Sequence, residues 1–249
     1  MLKNLLKYIA DRLGYIVLKK GYPVDMRSEK EFIALYERIR PFTMVSPDRS
    51  FALYKAVAYV HDAGISGDIV ECGVWRGGQS MLAAEVLLGK GDTTRTFWLY
   101  DTYTGMSEPT EHDVYIHPEE AAPQKWERYN RGDHNEWCYA PLEDVKQNLL
   151  DTKYPEKQIK FVQGKVEDTI PAEIPNTIAL LRLDTDWYES TLHELEHLYP
   201  RLAIGGVLLI DDYGSWDGAR KAVDEYFAKH QCKILLNRAG EGRVGVKIA

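Results

Sequence analysis

Short apolar runs alternate with amphipathic segments along most of this chain, and this alternation limits the folds open to it more than any other feature. Five apolar runs have the length of strands: 68–73, 96–101, 159–163, 178–184 and 206–211. Unbroken hydrophobicity over such lengths is typical of strands that are buried on both faces of a parallel sheet. The segments between them have the length and period of helices: one from residue 78, then about 142–150, 189–198 and 217–230. This order predicts a doubly wound α/β fold.

The two ends of the chain depart from this alternation. Ser28 is a candidate N-cap for a helix through about residue 40, and 48–63 reads as another helix, so a helical layer precedes the sheet. Apolar runs at 232–236 and 243–248 flank the glycine-containing segment 237–242 and predict a C-terminal antiparallel hairpin. We expect residues 1–45 to form a helical cap or dimer contact, and residues 46–249 to form the main domain.

Composition excludes several classes of function. The chain has 249 residues, enough for one domain with a substantial core, and its formal net charge of -7 argues against nucleic acid as a partner. Three widely spaced cysteines resemble neither a disulfide framework nor a zinc ribbon, so a reducing cytoplasm fits best.

The first 18 residues have apolar positions at helical spacing, interrupted by charges such as Lys7 and Asp11. This pattern is that of neither a signal peptide nor a membrane span. We expect an amphipathic helix that covers its own domain, packs in a homodimer or lies on a membrane surface.

A long segment, 103–140, interrupts the regular order of strands and helices. It is polar and rich in aromatic residues, including Trp126 and Trp137. Loops of this length inside a compact domain usually serve function, so we expect a lid or an acceptor-binding insert. The alternative is a surface excursion that contains some helix, at about 119–129.

Two of the apolar runs end in clusters of aspartate. Asp184 and Asp186 follow one run, and Asp211 and Asp212 follow another. Because the carboxyl ends of parallel strands meet at the ligand-binding edge of an open sheet, the four carboxylates are expected to converge there. Converging carboxylates need a compensating cation, and oxygen ligands suit Mg²⁺, Mn²⁺ or Ca²⁺. The alternative is that single aspartates cap the helices that follow.

A glycine-containing turn follows the first strand, in the sequence from Gly67 to Gly78. Glycines allow close approach of a ligand to the backbone, and the amides at the next helix start favour anionic groups. The spacing of Gly73, Gly77 and Gly78 is not that of the dinucleotide fingerprint. Asp101, at the end of the next strand, is placed to accept hydrogen bonds from ribose hydroxyls, or else to cap the turn after it.

Several of these motifs together resemble the macrocin (TylF-like) O-methyltransferase family over about residues 43–249. The resemblance is carried by the sequences at 70–78, 100–106, 183–190, 198–202 and 205–213. It implies a Rossmann-like class I methyltransferase that uses S-adenosylmethionine and Mg²⁺ (or Mn²⁺) to methylate a sugar hydroxyl of a natural-product glycoside or surface polysaccharide precursor. The acceptor would be a small molecule or a glycan.

The resemblance also implies roles for individual residues. Asp186 would be the general base, and the metal ligands would be Asp184, Asp211 and Asp212. Residues implied to contact the cofactor are Glu71, Gly73, Val74, Trp75, Gly77, Asp101, Thr102, Gly164, Val166, Glu167 and Asp184. Trp75 stands where other methyltransferases more often have glycine.

Three other functions compete with sugar methylation. Catechol or phenol methylation uses similar metal chemistry and differs in the acceptor pocket, and a non-catalytic cofactor-binding protein would keep the fold alone. His193-Glu-Leu-Glu-His197 matches the signature of zinc proteases. On a helical wheel, however, the two histidines lie opposite the apolar face of Leu195 and Leu198, so we expect them to face solvent.

Overall fold

The computed structural model describes residues 22–116 and 121–249. The amphipathic segment expected over residues 1–18 lies outside the described residues. Helices that precede the sheet are α1 (Val24–Ser28), α2 (Lys30–Ile39) and α3 (Pro47–Asp62), with a 3₁₀ turn at Arg40–Phe42. Strands are β1 (Asp68–Cys72), β2 (Phe97–Asp101), β3 (Ile159–Gln163), β4 (Ile178–Leu183), β5 (Leu202–Ile210), β6 (Asn237–Ala239) and β7 (Gly242–Val246).

Helices connect the strands in the order that the sequence predicts. They are α4 (Gly78–Gly89), α5 (Ala122–Tyr129), α6 (Leu142–Asp151), α7 (Val166–Thr169), α8 (Tyr188–Leu198) and α9 (Asp217–Lys229), with 3₁₀ turns at Glu156–Gln158 and Tyr199–Arg201. Within the described part of the chain, no helix has the length and hydropathy needed to cross a bilayer.

The strands form one sheet in the order β3-β2-β1-β4-β5-β7-β6. β1 to β5 pair in parallel, whereas β7 pairs antiparallel with β5 and with β6. The order reverses at β1 and β4, where chain connections leave in opposite directions and open a crevice at the carboxyl ends of the strands. The predicted α/β class, the mostly parallel sheet and the C-terminal hairpin are confirmed.

The core lies in two layers, one on each face of the sheet. α2, α3, α4 and α6 pack on one face, against side chains such as Ile69, Phe97 and Leu99. α7, α8 and α9 pack on the other face, against side chains such as Val70 and Leu181. Because strand residues alternate between the two layers, both faces of the central strands must be apolar, as the continuous hydrophobic runs indicated.

Two local predictions are wrong. Residues 232–236 do not form a strand; the hairpin is β6 with β7, and its turn is at Gly240 and Glu241, inside the segment predicted as the whole connection. Ser28 does not cap α2, because it is the last residue of α1 and its hydroxyl donates to the carbonyl oxygen of Asp25 at 2.6 Å. A short local hydrogen bond competes with capping for such side chains.

Candidate functional site

The carboxyl ends of β1, β2, β4 and β5 border two adjoining spaces. The first, here named the strand-edge cleft, has a volume of about 430 Å³. Its walls come from the ends of β2 and β3 and from the segments that follow β2 and β4. Lining residues are Tyr100, Asp101, Thr102, Gly105, Met106, Ser107, Gly164, Lys165, Val166, Glu167, Thr185 and Ser190. Five residues predicted to contact a cofactor are therefore brought together here: Asp101, Thr102, Gly164, Val166 and Glu167.

Asp101 joins the turn after β1 to the turn after β2. Its Oδ2 accepts hydrogen bonds from the amides of Val74 (2.7 Å) and Trp75 (2.9 Å), and its Oδ1 accepts one from the amide of Tyr103 (2.7 Å). Burial raises the pKa of Asp101, while these three amides act to lower it. The capping role considered above is thus present, and a ribose contact remains a prediction.

Packing inside the protein also explains why the turn after β1 contains glycines. Gly73 has φ +81°, and a Cβ there would collide with the backbone carbonyl of Asp184. Gly77 has φ +85°, and a Cβ there would collide with the side chain of Leu149. Contacts of Gly73, Val74 and Gly77 with a cofactor therefore remain predictions.

The backbone of Trp75 has a conformation that favours glycine. Its φ of +48° lies in the left-handed region, which glycine adopts without steric cost and other residues rarely adopt. The Trp75 side chain lines the second space and is held beside the guanidinium of Arg76, whose Cζ is 6.0 Å from the ring centroid. The site therefore has a bulky side chain on its wall, at a position whose backbone conformation favours glycine.

The second space, here named the carboxylate cavity, has a volume of about 710 Å³ and shares Asp101, Gly105 and Met106 with the strand-edge cleft. Its lining combines the predicted aspartates with apolar side chains. Its other lining residues are Met44, Val45, Arg49, Trp75, Cys138, Asp184, Asp186, Asp211 and Asp212. All four aspartates singled out from the sequence therefore reach the same cavity.

Three of these aspartates have the arrangement of a metal site. One carboxylate oxygen from each of Asp184, Asp211 and Asp212 lies within 4.8 Å of the others. The amide of Asp184 donates to Cys72 and that of Asp211 donates to Leu183, so both continue the strand pairing. Three convergent hard oxygen donors fit Mg²⁺ or Mn²⁺.

Two arginines contact the same carboxylates from the protein side. Arg182 Nη2 lies 2.7 Å from Asp184 Oδ2 and 2.9 Å from Asp211 Oδ1, in ion pairs that lack hydrogen-bond alignment. Arg49, in the first turn of α3, pairs with Asp211 Oδ2. Arg182 Nη1 pairs with Glu71 Oε1 at 2.6 Å.

Negative charge exceeds positive charge in this cluster. Glu71, Asp184, Asp186, Asp211 and Asp212 supply five carboxyls, against the two guanidiniums of Arg49 and Arg182. Burial raises the pKa of Asp184 and of Asp212 well above the usual range, and neighbouring aspartates raise both further. Ionising the full set requires more positive charge, so the donor set and its charge balance both fit a divalent cation.

Asp186 differs from the three convergent aspartates. It is the central residue of a tight turn with φ +65°, closed by a hydrogen bond from the amide of Trp187 to the carbonyl oxygen of Thr185 at 2.8 Å. Burial, followed by the charge of Asp184, raises the pKa of Asp186 to about 7, although hydrogen bonds with Asp212 and Trp216 act to lower it. A carboxylate with such a pKa suits proton transfer near neutral pH.

Glu71 is almost fully buried, with 3% of its surface exposed. It pairs with Arg182 and accepts a hydrogen bond from the hydroxyl of Ser80. Burial raises its pKa, and Arg182 and Ser80 act to lower it. Its predicted contact with the methionine part of a cofactor is untested.

Arg49 and Arg182 pair with the site's aspartates and are not among the residues predicted from the sequence. A signal existed for Arg182, because it is the one charged residue in the otherwise apolar strand Ile178–Leu183. Arg49 gave no such signal, because an arginine near a helix start usually faces solvent.

The insert between β2 and α6 packs on the starts of α8 and α9. Buried Asp113 accepts a hydrogen bond from the amide of Tyr188, the first residue of α8, at 2.8 Å. Trp187 and Trp216 pack edge to face with ring centroids 4.9 Å apart, and Trp137 of the insert contacts both. The insert contains the short helix Ala122–Tyr129, within the helical stretch expected at 119–129.

The histidines of the zinc-protease signature do not bind a metal together with a glutamate. His193 donates from Nε2 to the carbonyl oxygen of Ile170 at 3.0 Å, while Glu194 is fully buried and accepts from the hydroxyl of Thr185. Among the described residues, the one cluster with metal-ligand geometry is that of Asp184, Asp211 and Asp212. The geometry therefore does not support the protease alternative.

Sequence comparison identifies relatives across most of the chain. The model of the macrocin-O-methyltransferase (TylF) family matches residues 35–241. A tetracenomycin 8-demethyl-8-(2,3-dimethoxy-α-L-rhamnosyl) 4'-O-methyltransferase from Streptomyces olivaceus is 38% identical over 188 residues, 76% of this chain and 68% of that protein. Demethyldecarbamoylnovobiocin O-methyltransferase from Streptomyces niveus is 34% identical over 80% of this chain and 73% of its own length.

Solved structures agree with these matches. The O-methyltransferase NovP superposes with a TM-score of 0.73 at 30% identity, covering 84% of this chain and 83% of NovP. The calicheamicin methyltransferase CalS11 has a TM-score of 0.57 at 16% identity, covering 92% of this chain and 98% of CalS11, and so shares the fold. The chain belongs to the macrocin-O-methyltransferase family and is an O-methyltransferase, which confirms the resemblance seen in its sequence motifs.

Proposed function

We propose that this member of the macrocin-O-methyltransferase family transfers the methyl group of S-adenosylmethionine to a sugar hydroxyl, with a divalent cation held by Asp184, Asp211 and Asp212. The observation that carries the proposal is the juxtaposition of the strand-edge cleft and the carboxylate cavity, which share Asp101, Gly105 and Met106. A donor in the cleft and an acceptor in the cavity would thus meet at a common wall.

The strand-edge cleft suits the nucleoside part of the donor. Its walls combine apolar side chains with a few polar groups, as is usual for small-molecule sites. Gly164 has φ +139°, where a Cβ would collide with the side chain of Thr169, and Val166 begins the helix that borders the cleft. Thr102, Glu167 and Asp101 supply the polar groups that would bind the base and the ribose.

The carboxylate cavity suits the metal and the acceptor. When bound, a divalent cation would supply electrophilic assistance that lowers the pKa of the acceptor hydroxyl. Asp184, Asp211 and Asp212 would hold that cation, and Arg182 would hold two of these carboxylates from behind. Met44, Val45 and Trp75 would contact the apolar parts of the acceptor.

Asp186 would act as the general base. Burial raises its pKa above that of an ordinary aspartate, which makes it a better proton acceptor. As the acceptor oxygen loses its proton to Asp186, it would form a bond to the methyl carbon while the carbon–sulfur bond breaks. This displacement requires the oxygen within roughly 3–3.5 Å of the methyl group, so orientation by the cavity wall contributes to the rate.

The names of relatives support a sugar as the acceptor. One is a methyltransferase of a rhamnosyl group on tetracenomycin, and another is mycinamicin III 3''-O-methyltransferase, which is 34% identical over 190 residues. A cavity lined by both carboxylates and apolar side chains suits a sugar attached to an apolar group. A flat phenol would need a more uniformly apolar slot, so the catechol or phenol alternative is less favoured.

Calorimetric titration with S-adenosylhomocysteine tests the donor site first. We expect micromolar binding to the wild type and at least tenfold weaker binding to Asp101→Ala, because that variant loses the carboxylate shared by the cleft and the turn. Asp144→Ala, at an exposed position in the first turn of α6 and not among the residues that line the cleft, is the control and should bind normally. Absence of binding to the wild type, with or without Mg²⁺, would refute the donor assignment. Once binding is established, rhamnose-containing glycosides and catechols should be compared as acceptors.

A further inference from the structure

Arg182 is a charged residue in a position where charge is costly. It lies in β4, whose other residues are all apolar, and 4% of its side chain is exposed. Removing a guanidinium from water costs several kcal/mol unless nearby groups compensate it closely. An arginine in the centre of the sheet is therefore expected to have a role that an apolar side chain could not perform.

The guanidinium links two groups of carboxylates on opposite sides. Nη1 faces Glu71 of β1, its neighbour in the β1–β4 register, and Nη2 faces Asp184 and Asp211 of the metal triad. Ser80 of α4 donates its hydroxyl to Glu71. A chain of contacts thus runs from the core, through Ser80, Glu71 and Arg182, to two of the three carboxylates that would bind the metal.

The planar guanidinium fits this arrangement in a way that a lysine would not. Its nitrogens point in fixed directions, so contact with Glu71 on one side orients the nitrogen that faces Asp184 and Asp211 on the other. The contacts come from the buried side, whereas the triad lines the cavity on its open side. Arg182 does not line the cavity, and its ion pairs with both aspartates, although not aligned as hydrogen bonds, would limit the rotation of their side chains.

The positive charge of Arg182 also affects the binding of a cation. A positive group in contact with two metal ligands repels an incoming cation, and in a buried site this repulsion is only weakly screened. Glu71, at 2.6 Å from Arg182, offsets that repulsion. The ion pair of Arg182 with Glu71 would therefore orient the metal-binding carboxylates without strongly repelling the metal.

We propose that Arg182 is a positioning residue for the metal triad, and that Glu71 tunes metal affinity by neutralising it. This inference rests on the proposed metal site. It assigns Glu71, the acidic residue of the turn motif, to the metal rather than to the methyl donor.

Binding of Mn²⁺ alone, followed by the electron paramagnetic resonance of the free ion, tests the proposal without any turnover. Glu71→Gln keeps the shape of the side chain but leaves the charge of Arg182 uncompensated, so Mn²⁺ affinity should fall about tenfold. Arg182→Lys keeps the charge but loses the planar contacts, and should also weaken binding. In the double variant E71Q/R182K the charge is uncompensated and the planar contacts are also lost, so affinity should fall below that of either single variant.

Asp92→Asn is the matched control. Asp92 pairs with the poorly exposed Arg95 at 2.8 Å, before the start of β2 and hence at the opposite edge of the sheet. Neutralising it removes an equivalent ion pair, so stability should fall while Mn²⁺ affinity stays within about twofold of the wild type.

The outcomes separate the two proposals. If the wild type binds no Mn²⁺, the metal site itself is refuted and this inference falls with it. If the wild type binds Mn²⁺ and Glu71→Gln and Arg182→Lys, shown to be folded by circular dichroism, bind it equally well, only this inference is overturned. A double variant that binds Mn²⁺ more tightly than Glu71→Gln would also overturn it, because the planar contacts of Arg182 would then oppose metal binding instead of supporting it.

Discussion

Asp186 has a backbone conformation that residues other than glycine rarely adopt. The contacts of its side chain explain this conformation. Its φ of +65° places it at the centre of a three-residue turn directly after β4, a geometry that is strained for residues other than glycine. The turn directs the Asp186 carboxyl toward Asp212 and Trp216 instead of along the strand. Strain of this kind is common where a side chain must be held for chemistry.

Asp186→Asn and Asp211→Asn should separate catalysis from metal binding. We expect Asp186→Asn to lower kcat by about 100-fold or more, because a general base contributes at least that factor, with little change in Mn²⁺ affinity. Asp211→Asn should weaken Mn²⁺ binding more than about tenfold, because it removes a charged ligand. Steady-state kinetics and Mn²⁺ titration check both.

Asp224→Asn is the control for these two variants. Asp224 is exposed on α9 and accepts a hydrogen bond from the hydroxyl of Tyr213, so its neutralisation should change neither quantity. Equal activity of all three variants and the wild type would contradict the roles assigned to Asp186 and Asp211.

At the scale of elements, the insert is fixed to the domain through the starts of two helices. Asp113 accepts hydrogen bonds from Tyr188 of α8 and from Thr110, and its Oδ1 lies where a Cβ on Gly218 of α9 would be. The amide of Asp217 donates to Val114 of the insert at 2.9 Å. The segment that borders the strand-edge cleft is therefore positioned by the helices that follow β4 and β5.

Asp113→Ala should lower stability and disturb substrate binding together. Loss of a helix-capping carboxylate costs about 1 kcal/mol, and more here because the amide of Tyr188 would lose its partner in a buried site. Since residues 105–107 of the same insert line the cleft, we expect the Kd of S-adenosylhomocysteine to rise several-fold. Chemical denaturation and calorimetry measure the two effects.

Asp144→Ala provides the comparison for Asp113→Ala, because Asp144 lies exposed in the first turn of α6. That variant should remain within about 0.5 kcal/mol of the wild type. An Asp113→Ala protein with wild-type stability and unchanged binding would show that the insert is held by other contacts.

At the scale of the whole molecule, the sheet order decides which residues meet. β4 lies between β1 and β5, so the end of each strand brings its acidic residue to one place, although Glu71 and Asp211 are 140 positions apart in the chain. Repulsion among these carboxylates therefore destabilises the folded state, whereas in the unfolded chain they are far apart. A cation bound only by the folded state would offset it.

Metal should therefore stabilise the entire domain. At a concentration 100 times its Kd, a ligand that binds only the folded state contributes about 2.7 kcal/mol, which corresponds to a rise in Tm of roughly 5–10 °C for a chain of this size. Scanning calorimetry with Mg²⁺ or Mn²⁺ should show this rise, and EDTA should reverse it. A rise of the same size in Asp211→Asn would place the stabilising metal elsewhere.

The sequence by itself determined the class of fold, the position of nearly every strand and the set of four aspartates. These features are encoded locally, because a buried parallel strand must be apolar throughout and its polar continuation must lie at the edge of the sheet. The hairpin was placed less well, because residues 237–239, of which Asn237 and Arg238 are polar, form β6 through pairing with β7 at an edge, where no apolar pattern is required.

Only the tertiary structure decided how the charges of the site are matched. Glu71, Arg49 and Arg182 come from β1, α3 and β4, and their pairings depend on strand register and on the packing of α3 over the sheet. It also decided that Asp101 holds two turns and that the histidines of the protease-like motif lack a shared metal geometry. Such pairings join residues distant in sequence, and the energy of each depends on burial, which no local pattern specifies.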